Sequence, residues 1–211
     1  MTDVRDEMGK VIDELYRLQL ITATGGNVSA RDPARPDHAF ITPSGSFKGA
    51  LTRESFPRID RDGAAVDPRA AKPSSESLIH AAVLRARPDV QAVVHVHAPH
   101  ATILVNADLP FLPISTESAF LARTGRIPFI VPGTAELASA LVAALGGNWA
   151  VLMQNHGLLV AARSLRRAAD IAQIVERTCE IILGCYAVGR PPPVLPDALV
   201  AELAAKDDLM A

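Results

Sequence analysis

The amino-acid sequence predicts a single α/β domain in which a mostly antiparallel sheet is flanked by helices. Its 211 residues suit one domain, and a composition of 49% apolar and 21% charged residues is typical of a chain that buries a core. Apolar residues recur at helical spacing in some segments and form short β-branched runs in others. The two kinds of segment alternate irregularly and without a repeat, which favours one mixed domain.

The helices are predicted from the spacing of apolar residues and from capping residues. Residues 3–20 have an amphipathic pattern. Pro73, the two serines after it and Glu76 make up a helix start, because serine caps a helix and an acid in the first turn suits the helix dipole. Helices are therefore predicted at residues 3–20, over the apolar-periodic run from Leu78 to Leu84 that follows this helix start, and at 99–106, 134–145, 165–188 and 197–205.

The strands are predicted from short runs of β-branched and apolar residues between turn signals. The run QAVVHVH, residues 91–97, is typical of a buried strand. Residues 149–160 are expected to form two short strands around a turn at Asn155-His156-Gly157. Other strands are predicted at 28–30, 39–42 and within 127–131, and residues 57–73 are predicted to form a hairpin or surface loop.

The charge of the chain argues against two classes of partner. Its net charge is −2, whereas binding to nucleic acid or an anionic membrane needs a basic surface. The N-terminus lacks the apolar core of a signal peptide, and no window has the roughly 20 apolar residues of a membrane helix. Cys179 and Cys185 fall on different faces of a predicted helix and cannot pair within it, so a cytoplasmic setting is expected.

Two histidines in the predicted strand 91–97 are the most chemically informative feature. His95 and His97 are two positions apart, so their side chains point to the same face of the strand. Their imidazoles can meet one zinc or similar divalent ion. A catalytic zinc needs a third protein ligand, and His156, in a glycine-marked turn, is a candidate. The alternative is a half-buried pair of histidines that are hydrogen-bonded elsewhere.

Spacing alone leaves the other members of this site open. His38, His80 and His100 are rivals of His156, and His80 lies four residues after Glu76 on the same helix face. A carboxylate at Glu76 could ligate a metal or act as a base. The competing role for Glu76 is that of an exposed acid in the first turn of a helix.

Three short turns offer hydroxyl and backbone N–H groups of the kind that hold phosphate. None of them matches the P-loop or the dinucleotide-binding fingerprint. Taken singly, each is more often a plain turn or a helix cap. The three turns are Gly25-Gly26-Asn27, Ser44-Gly45 and Ser74-Ser75.

Five motifs follow one another in order along the chain: TATGGNVSAR, ITPSG, KPSSES, AVVHVHAPHA and QNHGLL. Together they resemble the class II aldolase/adducin family, from the first helix to about residue 188. The resemblance implies a three-layer α/β/α fold with a central, largely antiparallel sheet. It also implies a homotetramer with fourfold symmetry.

The same resemblance assigns roles to residues. It implies a zinc ion held by His95, His97 and His156, with Glu76 beside the metal as a neighbour or ligand and as the acid/base. Manganese and cobalt are compatible with the same ligand types. It implies a phosphorylated substrate, whose phosphate is held at positions matching Thr24, Asn27, Ser44, Gly45, Ser74 and Ser75.

The activity implied is retro-aldol cleavage of a short ketose 1-phosphate, such as L-fuculose 1-phosphate, to dihydroxyacetone phosphate and an aldehyde. Aldolases of this type take a proton from a tyrosine of the neighbouring subunit, located after the HxH strand. Residues 105–130 contain no tyrosine. Glu117, which lies in this stretch, is the alternative acid/base, as in a dehydratase branch of the family; its competing role is that of a loop acid or a helix cap.

This departure leaves other reactions of the family open, namely decarboxylation, dehydration and 4-epimerisation of a sugar phosphate or a related hydroxy or oxo acid. A non-enzymatic, adducin-like module is a further alternative, but it requires lost metal ligands. One domain over residues 1–211 is expected, with a Pro-rich segment and a C-terminal helix at 189–211. That segment is expected to reach a neighbouring subunit and to place the active site between subunits.

Overall fold

A computed structural model describes residues 3–206 and shows a sheet covered by helices on both faces. Residues 1–2 and 207–211, including the last part of the predicted C-terminal segment 189–211, lie outside the described residues. The helices are α1 (Val4–Arg17), α2 (Ser77–Ala86), α3 (Pro99–Asn106), α4 (Thr116–Ala119), α5 (Ala135–Leu145), α6 (Leu165–Ala187) and α7 (Asp197–Ala204).

Seven strands of the described chain form one sheet in the order β3-β2-β1-β4-β7-β6-β5. All neighbouring strands are antiparallel except β5 and β6, which are parallel. The predicted largely antiparallel sheet is therefore confirmed. The strands are β1 (Asn27–Asp32), β2 (Arg35–Ile41), β3 (Arg58–Ile59), β4 (Ala92–Val96), β5 (Gly125–Ile127), β6 (Ala150–Met153) and β7 (Gly157–Ala162).

Strand β4, which carries His95, lies at the centre of the sheet and is buried along its whole length. Its side chains alternate between the two faces. Val94 and Val96 pack into a core formed with α1, α3 and α6. Val93 packs into a second core formed with α2 and α5, and His95 points to this same side. The three-layer α/β/α architecture thus directs His95 towards the start of α2.

Most predicted elements are present, with three informative differences. The strand expected within 127–131 is β5, which lies two residues earlier and ends before Pro128, because proline has no N–H for the ladder. A short helix, α4, occurs in a region predicted to be irregular; the Ser115 side chain caps it by accepting a hydrogen bond from Ser118 N–H. Helix α2 begins at Ser77, so Glu76 precedes the first turn.

The described residues bear on two further expectations. None of the helices within residues 3–206 is both long and apolar enough to cross a membrane. Cys179 and Cys185 are free thiols on α6, as predicted, and Cys179 is buried. Burial raises the pKa of the Cys179 thiol far above its usual value, so this side chain behaves as a small apolar core residue.

Candidate active site

His95 is held by a backbone hydrogen bond that fixes which of its nitrogens is free. The ring lies fully buried, and Nδ1 is 3.1 Å from the carbonyl oxygen of Leu158 on the neighbouring strand β7. Since a carbonyl only accepts, Nδ1 carries the hydrogen and donates it. The lone pair is therefore on Nε2, which is the arrangement that metal-binding histidines use.

His97 lies one residue past β4, against a turn of small residues. A Cβ at Gly25 would be 2.9 Å from His97 Nδ1 and 2.6 Å from Thr22 Oγ1. No side chain larger than hydrogen fits there without moving the histidine. The glycine in TATGGN is thus required by the close approach of the His97 ring, which the sequence showed only as a turn signal.

His156 is positioned by the tight turn between β6 and β7. Asn155 has a φ of 54°, and its N–H donates to Asn106 Oδ1 at 2.7 Å, which ties the turn to the end of α3. A Cβ at Gly157 would be 2.3 Å from the carbonyl oxygen of Val96. Glycine at this position allows the turn to approach the end of β4, next to His97.

These three histidines converge, as predicted. One ligand nitrogen from each of His95, His97 and His156 lies within 4.8 Å of the other two. The Glu76 carboxylate lies among them, with Oε2 3.3 Å from His95 Nε2 and Oε1 3.2 Å from His156 Nε2. Glu76 is 8% exposed, so its alternative role as an exposed first-turn acid is wrong.

The unsatisfied atoms of this cluster fit a metal ion. Four buried atoms have no hydrogen-bond partner among the described residues: His95 Nε2, His97 Nε2, His156 Nδ1 and Glu76 Oε1. Buried polar atoms normally have partners, and four orphans in one cluster point to a missing common partner. Imidazole nitrogens and a carboxylate are the donor set of a borderline divalent cation.

Protonation states also favour a cation. Burial lowers the pKa of His95 to about 3 and lowers that of His97, so both rings are neutral near pH 7. Burial alone would raise the pKa of the Glu76 carboxyl. The close contacts with His156 and His95, together with the hydrogen bond from the Asn27 amide, outweigh that effect, and the pKa of Glu76 is lowered. Neutral imidazoles beside an ionised carboxylate are ready to bind a metal.

A buried series of hydrogen bonds fixes the orientation of the Glu76 carboxylate. Asn27 Nδ2 donates to Glu76 Oε2 at 2.8 Å, and Asn27 Oδ1 is 2.5 Å from His80 Nε2. His80 Nδ1 is 2.7 Å from Ser29 Oγ. Because the amide oxygen can only accept, His80 donates from Nε2 and accepts the Ser29 hydroxyl hydrogen on Nδ1. His80, a rival ligand by spacing, therefore supports Glu76 through Asn27.

The other rival histidines lie elsewhere. His100 Nδ1 is 2.8 Å from Glu176 Oε1, and the backbone N–H groups of His100 and Ala101 donate to the same carboxylate. Glu176 thus caps the N-terminus of α3 from α6. His38 is on β2, two strands away from β4 in the sheet. The ordered motifs therefore selected the three histidines that the fold brings together.

A cleft of about 500 Å³ opens in front of the histidine cluster. Glu76, His97 and His156 lie on its wall. Every position predicted to bind phosphate lines the same cleft, so the three turns do come together. These positions are Thr24, Asn27, Ser44, Gly45, Ser74 and Ser75.

Lys48 and Asn155 also line the cleft, and the sequence did not indicate either of them. A lysine in a polar turn is usually a solvated surface residue, so Lys48 gave no signal of its own. Its only cue was its place three residues after the Ser44-Gly45 turn.

Glu117 does not line the cleft of its own chain. It is exposed on α4, which packs against α6 and α7 rather than α2. The two tyrosines also lie outside the cleft. Tyr16 on α1 packs edge-on against Phe47 at 5.7 Å, and Tyr186 is at the end of α6.

Residues 6–183 match the family model described as the Class II Aldolase and Adducin N-terminal domain. The chain belongs to this family. It is accordingly a metal-dependent lyase of the class II aldolase type, and the predicted resemblance is confirmed. The histidine cluster can hold the metal on which that type depends.

Curated relatives of this class II aldolase family member have several activities. The chain is 35% identical over 190 residues to L-fuculose phosphate aldolase of Escherichia coli K12. This alignment covers 89% of this chain and 86% of the relative. It is 36% identical over 181 residues to the 5-methylthioribulose-1-phosphate/5-deoxyribulose-1-phosphate aldolase of Rhodospirillum rubrum, with 84% and 79% covered. The 3-oxo-tetronate 4-phosphate decarboxylase of E. coli K12 is 30% identical over 212 residues, with 95% and 94% covered.

Solved structures agree with the family assignment. An L-fuculose 1-phosphate aldolase superposes with a TM-score of 0.88 at 31% identity, covering 99% of this chain and 97% of that one. The fold prediction is therefore confirmed over nearly the whole chain.

Proposed function

We propose that this protein is a zinc-dependent aldolase that cleaves a short ketose 1-phosphate to dihydroxyacetone phosphate and an aldehyde. One observation carries the proposal: the histidine cluster and Glu76 share a cleft with six phosphate-binding positions of the family. Three histidines and a carboxylate suit zinc, although manganese and cobalt use the same donors.

The chemistry of retro-aldol cleavage matches the groups in this cleft. Bound zinc would supply a Lewis acid for the negative charge that develops next to the substrate carbonyl. A base removes the proton of the hydroxyl on the carbon that becomes the aldehyde. The bond between that carbon and the carbon next to the ketone carbonyl then breaks, and the electron pair remains on the ketone fragment. Protonation of the carbon next to the carbonyl gives dihydroxyacetone phosphate. We assign the exchange of these protons to the ionised Glu76, which lies on the cleft wall.

A second proton-transfer group is expected from a neighbouring subunit. Glu117 lies outside its own cleft, and residues 105–130 contain no tyrosine. We infer that Glu117 enters the cleft of an adjacent chain in a homotetramer, where it serves as the second acid/base. A Glu117→Gln variant that turned over at the wild-type rate would remove this assignment.

The relatives support a phosphorylated ketose. Two of them are named as aldolases, one of L-fuculose phosphate and one of two 1-phosphates of ribulose derivatives. Their identity to this chain is nearly equal, so the substrate class is favoured over either individual sugar.

Incubation of zinc-loaded protein with a panel of ketose 1-phosphates tests this proposal. Dihydroxyacetone phosphate should appear, be lost after EDTA treatment and return on zinc addition. Glu76→Gln should lower kcat strongly, whereas Glu180→Gln, at a half-exposed glutamate of α6 that pairs with Arg177, should not. Absence of dihydroxyacetone phosphate across the whole panel would overturn the assignment.

Decarboxylation of a phosphorylated 3-oxo acid is the second candidate. It is favoured by the missing tyrosine and by the match to a 3-oxo-tetronate 4-phosphate decarboxylase over nearly the full length of both chains. This reaction also leaves negative charge beside a carbonyl, so the same metal cluster serves it. Release of carbon dioxide from a 3-oxo acid phosphate, without aldol cleavage of the ketose panel, would select it.

A further inference from the structure

Lys48 is a buried cation in the wall of the cleft. The residue is only 3% exposed, although lysine is rarely buried without a partner. Within residues 3–206 no carboxylate forms an ion pair with it. Its ammonium has two long contacts, 3.5 Å to the carbonyl oxygen of Ser46 and 3.3 Å to Ser46 Oγ. These contacts are at the weak end of hydrogen bonding and leave the charge largely uncompensated.

The backbone holds Lys48 at the junction of two cleft walls. Its N–H donates to the carbonyl oxygen of Ala23 at 2.9 Å, which joins the turn after β2 to the turn that carries Thr24 and Gly25. Burial without a counter-ion lowers the pKa of Lys48 below its usual value. An anion in the cleft would offset that cost and keep the ammonium charged.

The phosphate positions of the cleft are otherwise uncharged. They contribute hydroxyls, an amide and backbone N–H groups, and Lys48 is the one lysine or arginine among the described residues that line the cleft. A phosphate monoester carries close to two negative charges at pH 7. Neutral donors can hold such a dianion, and an ammonium adds a charge-assisted contact that an uncharged sugar cannot match.

We infer that Lys48 determines specificity for a phosphorylated substrate, with its buried ammonium supplying the positive charge that the neutral donors of the cleft lack. This inference rests on the proposed function in one respect, namely that a phosphate ester enters this cleft. It assigns to Lys48 a role in binding affinity and none in proton transfer.

Calorimetric titration of the zinc-loaded protein with inorganic phosphate tests the inference. Lys48→Met should weaken phosphate binding about 10- to 100-fold, the cost of losing one charge-assisted hydrogen bond. Lys10→Met, the same change at an exposed lysine of α1, should leave it unchanged. Zinc content, measured for each variant, should be equal. Lys48→Gln serves as a second variant should Lys48→Met fail to fold.

Three results separate this inference from the proposed function. Equal phosphate affinity in wild type and the Lys48 variants, or no phosphate binding by wild type, would overturn the inference. Lys48-dependent phosphate binding in a protein that cleaves no ketose 1-phosphate would support the inference while the proposed function fails. If cleavage does occur, Lys48→Met should raise KM much more than it lowers kcat; an unchanged KM would contradict the role of Lys48.

Discussion

At the scale of single residues, the site depends on hydrogen-bonding groups that fix the orientation of the predicted ligands. His95 presents Nε2 because Nδ1 is bonded to a strand carbonyl, and Glu76 is held by Asn27, which His80 and Ser29 orient in turn. The sequence predicted the ligands because their types and order matched a family. It could not predict the roles of Ser29 and His80, because these depend on the pairing of β1 with β4 and on the packing of α2.

Replacing His80, the titrating group in the hydrogen-bonded series behind Glu76, should alter how the free energy of unfolding depends on pH. Burial lowers the pKa of His80 to about 4 from an ordinary value of 6.5, and the opposing field of Glu76, which raises the pKa, offsets only part of this effect. Between these values the unfolded chain binds the extra proton, so the free energy of unfolding falls as the pH is lowered. Between pH 6.5 and 4, the free energy of unfolding of the metal-free His80→Gln variant should fall by up to about 3 kcal/mol less than that of metal-free wild type. Parallel stability curves from urea unfolding would contradict this assignment.

Adding a methyl group at Gly25 should disturb the predicted metal site. The new Cβ would overlap His97 Nδ1 and Thr22 Oγ1, so the histidine must shift. Gly25→Ala should therefore weaken zinc binding about 10- to 100-fold, which is typical for loss of an orienting contact. Gly147→Ala is the matched control, because its Cβ would meet nothing within 4 Å. Competition with a chelator measures both affinities, and equal values would show that His97 does not depend on Gly25.

At the scale of elements, the site is built where β4, β7 and the start of α2 meet. The pattern of apolar residues predicted β4, α3, α5 and α6 closely, because each buries a regular face. It misplaced β5 and omitted α4, since proline spacing and local capping decide these short elements. The helix-start motif gave α2 but not the direction of Glu76, whose side chain turns to the histidines rather than to solvent.

Helix α3 should depend on its cap from α6. Glu176 accepts the N–H groups of His100 and Ala101 at 3.0 and 2.9 Å, so it satisfies two donors that the helix leaves free. Glu176→Ala should lower the free energy of unfolding by about 1–2 kcal/mol. Glu180→Ala, one turn along α6 at a half-exposed position paired with Arg177, should cost less, because surface ion pairs contribute little. Urea unfolding compares the two, and similar losses would show that the cap contributes little.

At the scale of the whole molecule, the histidine cluster and the positions predicted to bind phosphate share the cleft of one chain, and Glu117 of the same chain lies outside that cleft. The exposed position of Glu117 on α4 is what an intersubunit site requires. The family resemblance, and no feature of the residues alone, predicted a fourfold assembly. Association is decided by surfaces whose partner the sequence does not identify, which is why the pattern of one chain could not establish it.

Sedimentation equilibrium should show a species of four times the chain mass at micromolar concentration. Mixing an inactive Glu76→Gln protein with an inactive Glu117→Gln protein should then restore part of the cleavage activity. Restoration follows because some mixed interfaces combine an intact Glu76 with an intact Glu117 from the neighbour. A monomer, or mixtures of exchanged subunits that stay inactive, would contradict the intersubunit site.

Metal binding tests the central claim most directly. Purified protein loaded with zinc and freed of excess metal should retain one ion per chain, measured by elemental analysis alongside protein concentration. His95→Ala, His97→Ala and His156→Ala should each bind at least about 100-fold more weakly, since losing a ligand costs more than losing its orienting partner, while His100→Ala should match wild type. A wild-type protein that retains no divalent metal, or histidine variants that bind it as tightly as wild type does, would contradict the claim.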